Sequence, residues 1–388
     1  MREIDRFRGC LLGGAAGDAL GYPVEFLTEA EIRRRFGARG ITKYELHGGI
    51  AEISDDTQMT MFTATGLLYG TTRGRLRGIM GNYEDYLRSH YRDWYRTQTE
   101  PYPLPGKYPY SWLVNLPELF SRRAPGNTCL SALASGENAS TRHPINRSKG
   151  CGGVMRVAPI GLYFAEKIWT AAQSDTIGAE AAAVTHGHEL GWLPAACLVH
   201  IIRFLTERED ASVLAAVRDA MAALPETFPG TEHMDELLEL LQRAVGLAAS
   251  RTKDADAIRQ LGEGWVGDEA LAIAVFCALR HADRLLARNR GIVRKNLAVL
   301  DAWVQSEPRI SYVKPKSGTT ALVSYDYDIE SYDFCARMHR ETGAFVTPGA
   351  CFGVEKTMRI GYASDRQTLE AGLAAVSAFL RKLEEEGK

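Results

Sequence analysis

Residues 53–59 read Ile-Ser-Asp-Asp-Thr-Gln-Met. Two adjacent carboxylates, Asp55 and Asp56, stand between the hydroxyls of Ser54 and Thr57, and an apolar run with Met59, Met61 and Phe62 follows at once. Neighbouring negative charges repel, and burial strengthens the repulsion. A cation removes it. Carboxylate and hydroxyl oxygens are hard ligands, suited to Mg²⁺, Mn²⁺ or Ca²⁺ rather than zinc or copper. The same residues also fit the start of a helix, where a cap and acids in the first turn are favoured by the helix dipole. On this stretch alone both readings stand.

Upstream, residues 5–21 are crowded with small residues: Gly9, Gly13, Gly14, Ala15, Ala16 and Gly17. Each glycine inside a helix costs about 1 kcal/mol relative to alanine, so the crowding implies close helix contact or a ligand near the backbone. Asp18 and Glu25 place two acids around a Gly-Tyr-Pro turn. Downstream, residues 178–186 are rich in alanine. Residues 192–206 carry Trp192, Leu193, Ala196, Val199, Ile202 and Leu205 at helical spacing, and residues 235–249 and 268–281 repeat the pattern. No convincing strand precedes about residue 290. Residues 96–125, rich in Pro, Tyr and Gly, read as a long structured loop.

The chain of 388 residues is 45% hydrophobic and 24% charged, with net charge -2. That allows roughly two or three domains and a sizeable core. A near-neutral balance gives no electrostatic case for nucleic acid or an anionic membrane as partner. Met1–Arg8 is polar and charged, and the apolar stretch 10–20 is broken by glycines and Asp18 and is too short to span a bilayer. Seven scattered cysteines, with no C-x-x-C pair, suit reduced thiols in a cytoplasmic protein.

Gly17-Asp18-Ala19-Leu20-Gly21 with Glu25, followed by Ser54-Asp55-Asp56-Thr57, resembles the ADP-ribosylglycohydrolase family. Arg123-Ala124-Pro125-Gly126-Asn127-Thr128, the segment from Gly150-Cys151-Gly152-Gly153-Val154-Met155-Arg156 to Gly161, Thr185-His186 and Gly262-Glu263-Gly264-Trp265-Val266 agree in order and spacing. The resemblance covers roughly residues 5–282, and moves the metal reading of Asp55 and Asp56 ahead of the cap reading.

The resemblance implies an all-α domain over residues 1–283 with a binuclear Mg²⁺ site, Mn²⁺ in some members. The implied substrate is an ADP-ribosylated protein or a related ADP-ribose conjugate. By matching position, Ser54, Asp55 and Asp56 would be metal ligands, and Glu25, Asp55 and Asp56 the catalytic carboxylates. Gly152, Gly153, Val154, Met155 and His186 would line the ADP-ribose cleft. Two cations hold ribose hydroxyls and position a water, a nearby carboxylate moves the proton, and glycine-rich backbone admits a diphosphate. Plainer roles compete: a surface acid for Glu25, a satisfied histidine for His186, a tight turn for Gly152-Gly153, wall packing for Trp265. His188 reads as structural, and Arg156 as a loop pin held by a salt bridge.

The last hundred residues depart from that family. Its late Gly-Asp-x-Asp-Thr-type motif, which supplies the remaining metal carboxylates, is replaced by Ala282-Asp283-Arg284-Leu285-Leu286-Ala287-Arg288. Gly267-Asp268-Glu269 comes too early. Asp326 and Asp328 have the spacing but sit in an alternating, strand-like run with Val323, Tyr325 and Tyr327.

Residues 284–388 read as a small α/β domain, a short mixed sheet with flanking helices. Val293, Leu297, Leu300 and Val304 form a helical stripe. Short β-runs follow at 310–313, 320–325 and 344–347. Ser364-Asp365-Arg366-Gln367 has capping-box form and opens a helix with Leu369, Leu373, Val376, Leu380 and Leu383 on one face.

This part, over about residues 284–384, resembles the C-terminal small domain of class I/II, fold-type I aminotransferases that use pyridoxal phosphate (PLP). The carrying pieces are Arg288-Asn289-Arg290 through Asn296-Leu297, Tyr312-Val313-Lys314-Pro315-Lys316-Ser317-Gly318, Thr347-Pro348-Gly349-Ala350-Cys351-Phe352-Gly353 and Met358-Arg359-Ile360-Gly361-Tyr362-Ala363. The resemblance implies that Arg359 grips a substrate carboxylate, a bidentate task suited to guanidinium. The large domain, the Schiff-base lysine and the phosphate cup are not found, so PLP is not expected and a structural role for Arg359 is preferred. The chain thus reads as a hydrolase part joined near residues 282–286 to an aminotransferase-like part. Hydrolysis of an ADP-ribosyl bond, reduced or lost for want of the late carboxylates, and non-catalytic binding of ADP-ribose or of a protein are the two competing functions, with transamination by a partial aminotransferase a third reading ranked below them.

Overall fold

A computed structural model describes residues 4–106, 109–165, 169–208, 210–316 and 318–387. The chain forms two compact units, Met1–Arg280 and His281–Lys388.

The first unit is helical. Its helices are α1 Ile4–Gly21, α2 Glu29–Phe36, α3 Asp55–Arg77, α4 Tyr83–Thr99, α5 Asn127–Ala134, α6 Ala158–Tyr163, α7 Ala171–Ala183, α8 Glu189–Glu207, α9 Val213–Thr227, α10 Met234–Ala249 and α11 Asp254–Leu261. α12, Gly267–Ser306, begins in this unit, and its C-terminal part belongs to the second. Among the described residues before Ile310 there is no strand, only the isolated bridges His47–Ile50 and Gly150–Val266.

Local chemistry sets the helix ends. Ser54 caps α3 in an extended conformation and its hydroxyl accepts from Asp56 N at 3.2 Å. Gly78, with φ +68°, ends α3 in the left-handed region open to glycine. Thr28 with Glu31 and Thr170 with Gln173 form reciprocal capping boxes on α2 and α7. Small residues let α7 and α8 approach: a side-chain carbon at Gly178 would fall 2.7 Å from Val199 Cγ2. Met59, Phe62, Leu87, Trp94, Leu193, Val199 and Leu237 belong to the core they enclose. α8 is long and apolar enough to cross a membrane by composition, but most of it is buried in this core.

The glycines of α1 do not mediate the helix contact their crowding suggested. Apart from the helix's own backbone and chain neighbours, no atom lies within 4 Å of a side-chain carbon placed at Gly9, Gly13, Gly14, Gly17 or Gly21, and Leu12 is 67% exposed. Residues 96–125 are a loop only in part. α4 runs to Thr99, and short 3-10 turns occupy Trp112–Asn115 and Pro117–Phe120. Asp93 anchors the loop by accepting from the amides of Tyr110 (2.6 Å) and Ser111 (2.8 Å).

The second unit holds β1 Ile310–Tyr312, β2 Thr320–Tyr325, α13 Ser331–Thr342, β3 Thr347–Pro348, β4 Thr357–Gly361 and α14 Arg366–Glu385. The strand order is β1-β2-β4-β3 and every pairing is antiparallel, not mixed. Alternation in β2 turns Ala321, Val323 and Tyr325 inward. The 344–347 run yields only a two-residue strand, because Pro348 has no N–H to continue a ladder. Asp365, rather than Ser364, caps α14, accepting from Thr368 N at 2.9 Å. Leu369, Leu373, Val376, Leu380 and Leu383 are all buried. Ser317 lies outside the described residues.

Candidate functional site

A cleft of about 1120 Å³ opens in the first unit. Its walls come from the C-terminal end of α1, the Tyr22–Val24 turn, α2, the start of α3, the 151–155 turn, α11 and the start of α12. Asp18, Glu25, Ser54 and Asp56 line it together. Gly17 and Gly21 line it as well, so two of the α1 glycines face open cleft space.

Both readings of the Ser-Asp-Asp-Thr stretch are realised at once. The helix cap is Ser54, only 2% exposed, and it sets Asp55 and Asp56 in the first turn beside the cleft. Asp55, 4% exposed, accepts from Gly126 N at 3.2 Å, and its own amide donates to Arg123 O at 3.0 Å. The Arg123–Thr128 segment therefore seats Asp55. Asp18 holds the same start from α1: it accepts from Ser54 N at 2.9 Å and Thr57 N at 3.2 Å.

The carboxylates strain one another electrostatically. Burial pushes Asp55 up to about 7 against the Gly126 amide, with Glu25 and Asp18 adding to the rise. Burial, then the charges of Asp55, Asp18 and Glu25, push Asp56 up to about 8. Glu25, exposed at the cleft mouth, is raised by partial loss of water and by Asp18. No Lys or Arg among the described residues figures in these shifts. A hard dication would supply the missing charge, and the carboxylate and hydroxyl oxygens of Asp18, Glu25, Ser54 and Asp56 are hard donors, with the Cys151 thiol a soft group in the same lining. Among the described residues no three His, Cys, Asp or Glu side chains converge into a metal cage. A cation here would be held through one or two carboxylates with water completing its shell, the habit of Mg²⁺.

Of the residues expected along ADP-ribose, Val154 and Met155 line the cleft, and Cys151 joins them. The amides of Val154 and Met155 both turn back to Cys151 O, at 3.0 and 3.2 Å. Gly152, Gly153 and His186 lie outside the lining. Packing requires these glycines: a side-chain carbon would fall 2.9 Å from His186 Cε1 at position 152 and 2.6 Å from Gly191 O at position 153. His186 is buried, with Nδ1 2.8 Å from Thr185 Oγ1, and burial aided by Arg156 pulls it down to about 3, so the ring is neutral.

His188 accepts from Leu190 N at 3.1 Å, capping α8, and its ring lies tilted against that of His233 with centroids 4.6 Å apart. Trp265, 49% exposed, is cleft wall and sits 5.8 Å from the Phe26 ring. Phe26, Tyr22 and Cys151 had no assignment from their residue types; only their nearness to Glu25 and Gly152 in the chain hints at the site.

In the second unit, Arg359 on β4 donates to Thr347 Oγ1 at 3.3 Å and lies 4.8 Å from the Phe352 ring. Asp328 pairs with Lys356 at 3.0 Å, and the amide of Asp326 donates to Arg309 O at 2.9 Å.

The model of the family described as ADP-ribosylglycohydrolase matches residues 1–302. This chain belongs to the ADP-ribosylglycohydrolase family. The match takes in every cleft-lining residue. Partial relatives are of another kind. The chain is 36% identical over 104 residues to capreomycidine synthase of Streptomyces vinaceus, covering 26% of this chain and 27% of that protein. Similar solved structures are a PLP-dependent aminotransferase from Streptococcus suis 89-1591 (36% identity, TM-score 0.28, 29% of this chain and 30% of that one) and the PLP-dependent cyclase OrfR in complex with Au (28%, 0.27, 30% and 31%). The chain thus spans under a third of the length of each. An ADP-ribosylglycohydrolase part and a stretch similar to PLP-dependent enzymes occur in one chain, as the two resemblances implied.

Proposed function

We propose that the cleft is a Mg²⁺-assisted site for an ADP-ribosylated protein or a related ADP-ribose conjugate, with turnover of the glycosidic bond reduced or lost. The observation that carries this reading is that Asp18, Glu25 and Asp56 line one cleft with Asp55 buried next to Asp56, and that burial and neighbouring carboxylates raise Glu25, Asp55 and Asp56 while no Lys or Arg among the described residues figures in those shifts. Ser54, Asp55 and Asp56 would hold the ion. If bound there, the ion would supply positive charge toward ribose hydroxyls and an attacking water. Glu25, at the mouth, takes the proton from that water or returns it to the leaving group. Val154 and Met155 give an apolar wall, and Phe26 and Trp265 offer exposed aromatic faces for planar groups.

The reduction follows from the absence of the late Gly-Asp-x-Asp motif in this sequence, which leaves a second ion without its carboxylates. The seven cysteines are all free, which supports a reducing, cytoplasmic setting. The test is hydrolysis of an ADP-ribosylated peptide with Mg²⁺, beside Asp55→Ala/Asp56→Ala and with ADP-ribose binding measured by calorimetry. Binding with slow or no turnover is the expected result. Robust, Asp55-dependent turnover refutes the reduction, and no binding of ADP-ribose or its conjugate refutes the reading.

A further inference from the structure

The first amides of a helix have no partner within it and must find one elsewhere. At α3 all of them do. Asp56 N donates to Ser54 Oγ at 3.2 Å, and Asp55 N to Arg123 O at 3.0 Å. Ser54 N reaches both oxygens of Asp18, at 3.1 and 2.9 Å, and Thr57 N reaches Asp18 Oδ2 at 3.2 Å. The Thr57 hydroxyl donates to the same Oδ2. In an ordinary capping box, an acid at the third helical position reaches back to the cap amide. Here that position holds Thr57, and a carboxylate 36 residues upstream of Ser54 does the work.

We propose that Asp18 is a positioning residue that completes the α3 capping box from another helix, and thereby fixes Ser54, Asp55 and Asp56 as a rigid platform for a divalent cation. With every opening amide engaged, this helix start has no free N–H to give a phosphate, and Asp56 faces the cleft beside it. The proposal rests on the cation reading above, but its structural half does not.

Two readouts separate them. Hydrogen exchange of the Ser54–Thr57 amides needs no metal, and Mn²⁺ affinity by electron paramagnetic resonance needs no turnover. Asp18→Asn is expected to speed exchange at Ser54 and Thr57 and to weaken Mn²⁺ binding about 10–100-fold, the usual effect of removing a group that orients metal ligands. Thr57→Val keeps the Asp18 charge and removes one donor. It is expected to give a smaller loss of the same kind, and it decides the matter should Asp18→Asn not fold. Wild-type Mn²⁺ affinity together with wild-type exchange at Ser54 and Thr57 in Thr57→Val overturns the positioning role, as does unchanged exchange in Asp18→Asn. If the wild-type protein binds no Mn²⁺, the cation platform falls with the reading it rests on, while the exchange arm still decides whether Asp18 holds the helix start.

Discussion

The guanidinium of Arg156 lies 4.3 Å from the ring centroid of Tyr91, and both side chains are fully buried. No carboxylate among the described residues pairs with Arg156, so it is not the salt-bridged pin its sequence suggested. Its Nη2 donates to Ala181 O and Thr185 Oγ1, each at 2.8 Å. Ala181 is in the last turn of α7, where the helix dipole favours a cation. Arg156→Met strands the buried Ala181 carbonyl, at about 1–3 kcal/mol, while Thr185 Oγ1 keeps His186 as partner. Urea unfolding of the variant should show a loss of that size. A near-neutral result means the α7 end is satisfied in some other way.

Gly153 is held by contact, not by turn geometry. A methyl there meets Gly191 O at 2.6 Å and Ala182 Cβ at 3.0 Å. Gly153→Ala should therefore destabilise by about 1–3 kcal/mol, the usual range for overpacking. Gly152→Ala meets the His186 ring edge at 2.9 Å and Cys129 Sγ at 3.0 Å, both side-chain atoms with some freedom to give. Thermal unfolding should rank Gly153→Ala below Gly152→Ala; the reverse order argues that the glycines serve ligand approach rather than packing.

The apolar helical spacing of residues 192–206 and the Ser-Asp-Asp-Thr stretch were legible because their signals are local. The partner of Ser54 was not: Asp18 stands 36 residues away, and its glycine-rich setting marks a close approach without saying to what. β4 was missed as a strand because Met358 and Ile360 are buried along with Thr357, which breaks the two-residue alternation a half-exposed strand would show. The placement of His186 behind the Gly150–Gly152 turn depends on packing between remote segments, which residue types cannot express.

His200 joins three helices. Its Nδ1 is 2.7 Å from Asp175 Oδ2 on α7, and its Nε2 is 3.0 Å from Asp219 Oδ2 on α9. Burial opposes the charged ring, but the bonds and charges of Asp175 and Asp219 outweigh it and lift the pKa above 6.5. The folded state thus holds this proton more tightly than the unfolded chain. The resulting stability is complete below about pH 6.5 and is lost as pH rises through the folded value. The difference in unfolding free energy between wild type and His200→Gln should therefore shrink as pH is raised from about 6 to about 9. A difference that stays flat or grows with pH contradicts a protonated His200.

Phe334 tests whether the two units are independent. Its ring stacks on Tyr325 with centroids 3.8 Å apart and meets Phe379 edge-on at 5.2 Å. It is fully buried in the core of the second unit, which shares no buried residue with the core of the first. Phe334→Ala opens a cavity there at a cost of about 3–5 kcal/mol. If each core is a separate cooperative unit, hydrogen exchange should quicken in β1, β2, β4 and α14 while α7 and α8 keep wild-type protection. Uniform loss of protection across both units would instead mean that the hydrolase-like part depends on the C-terminal part for its stability. The C-terminal part would then be a structural element of the hydrolase fold and not an appended one.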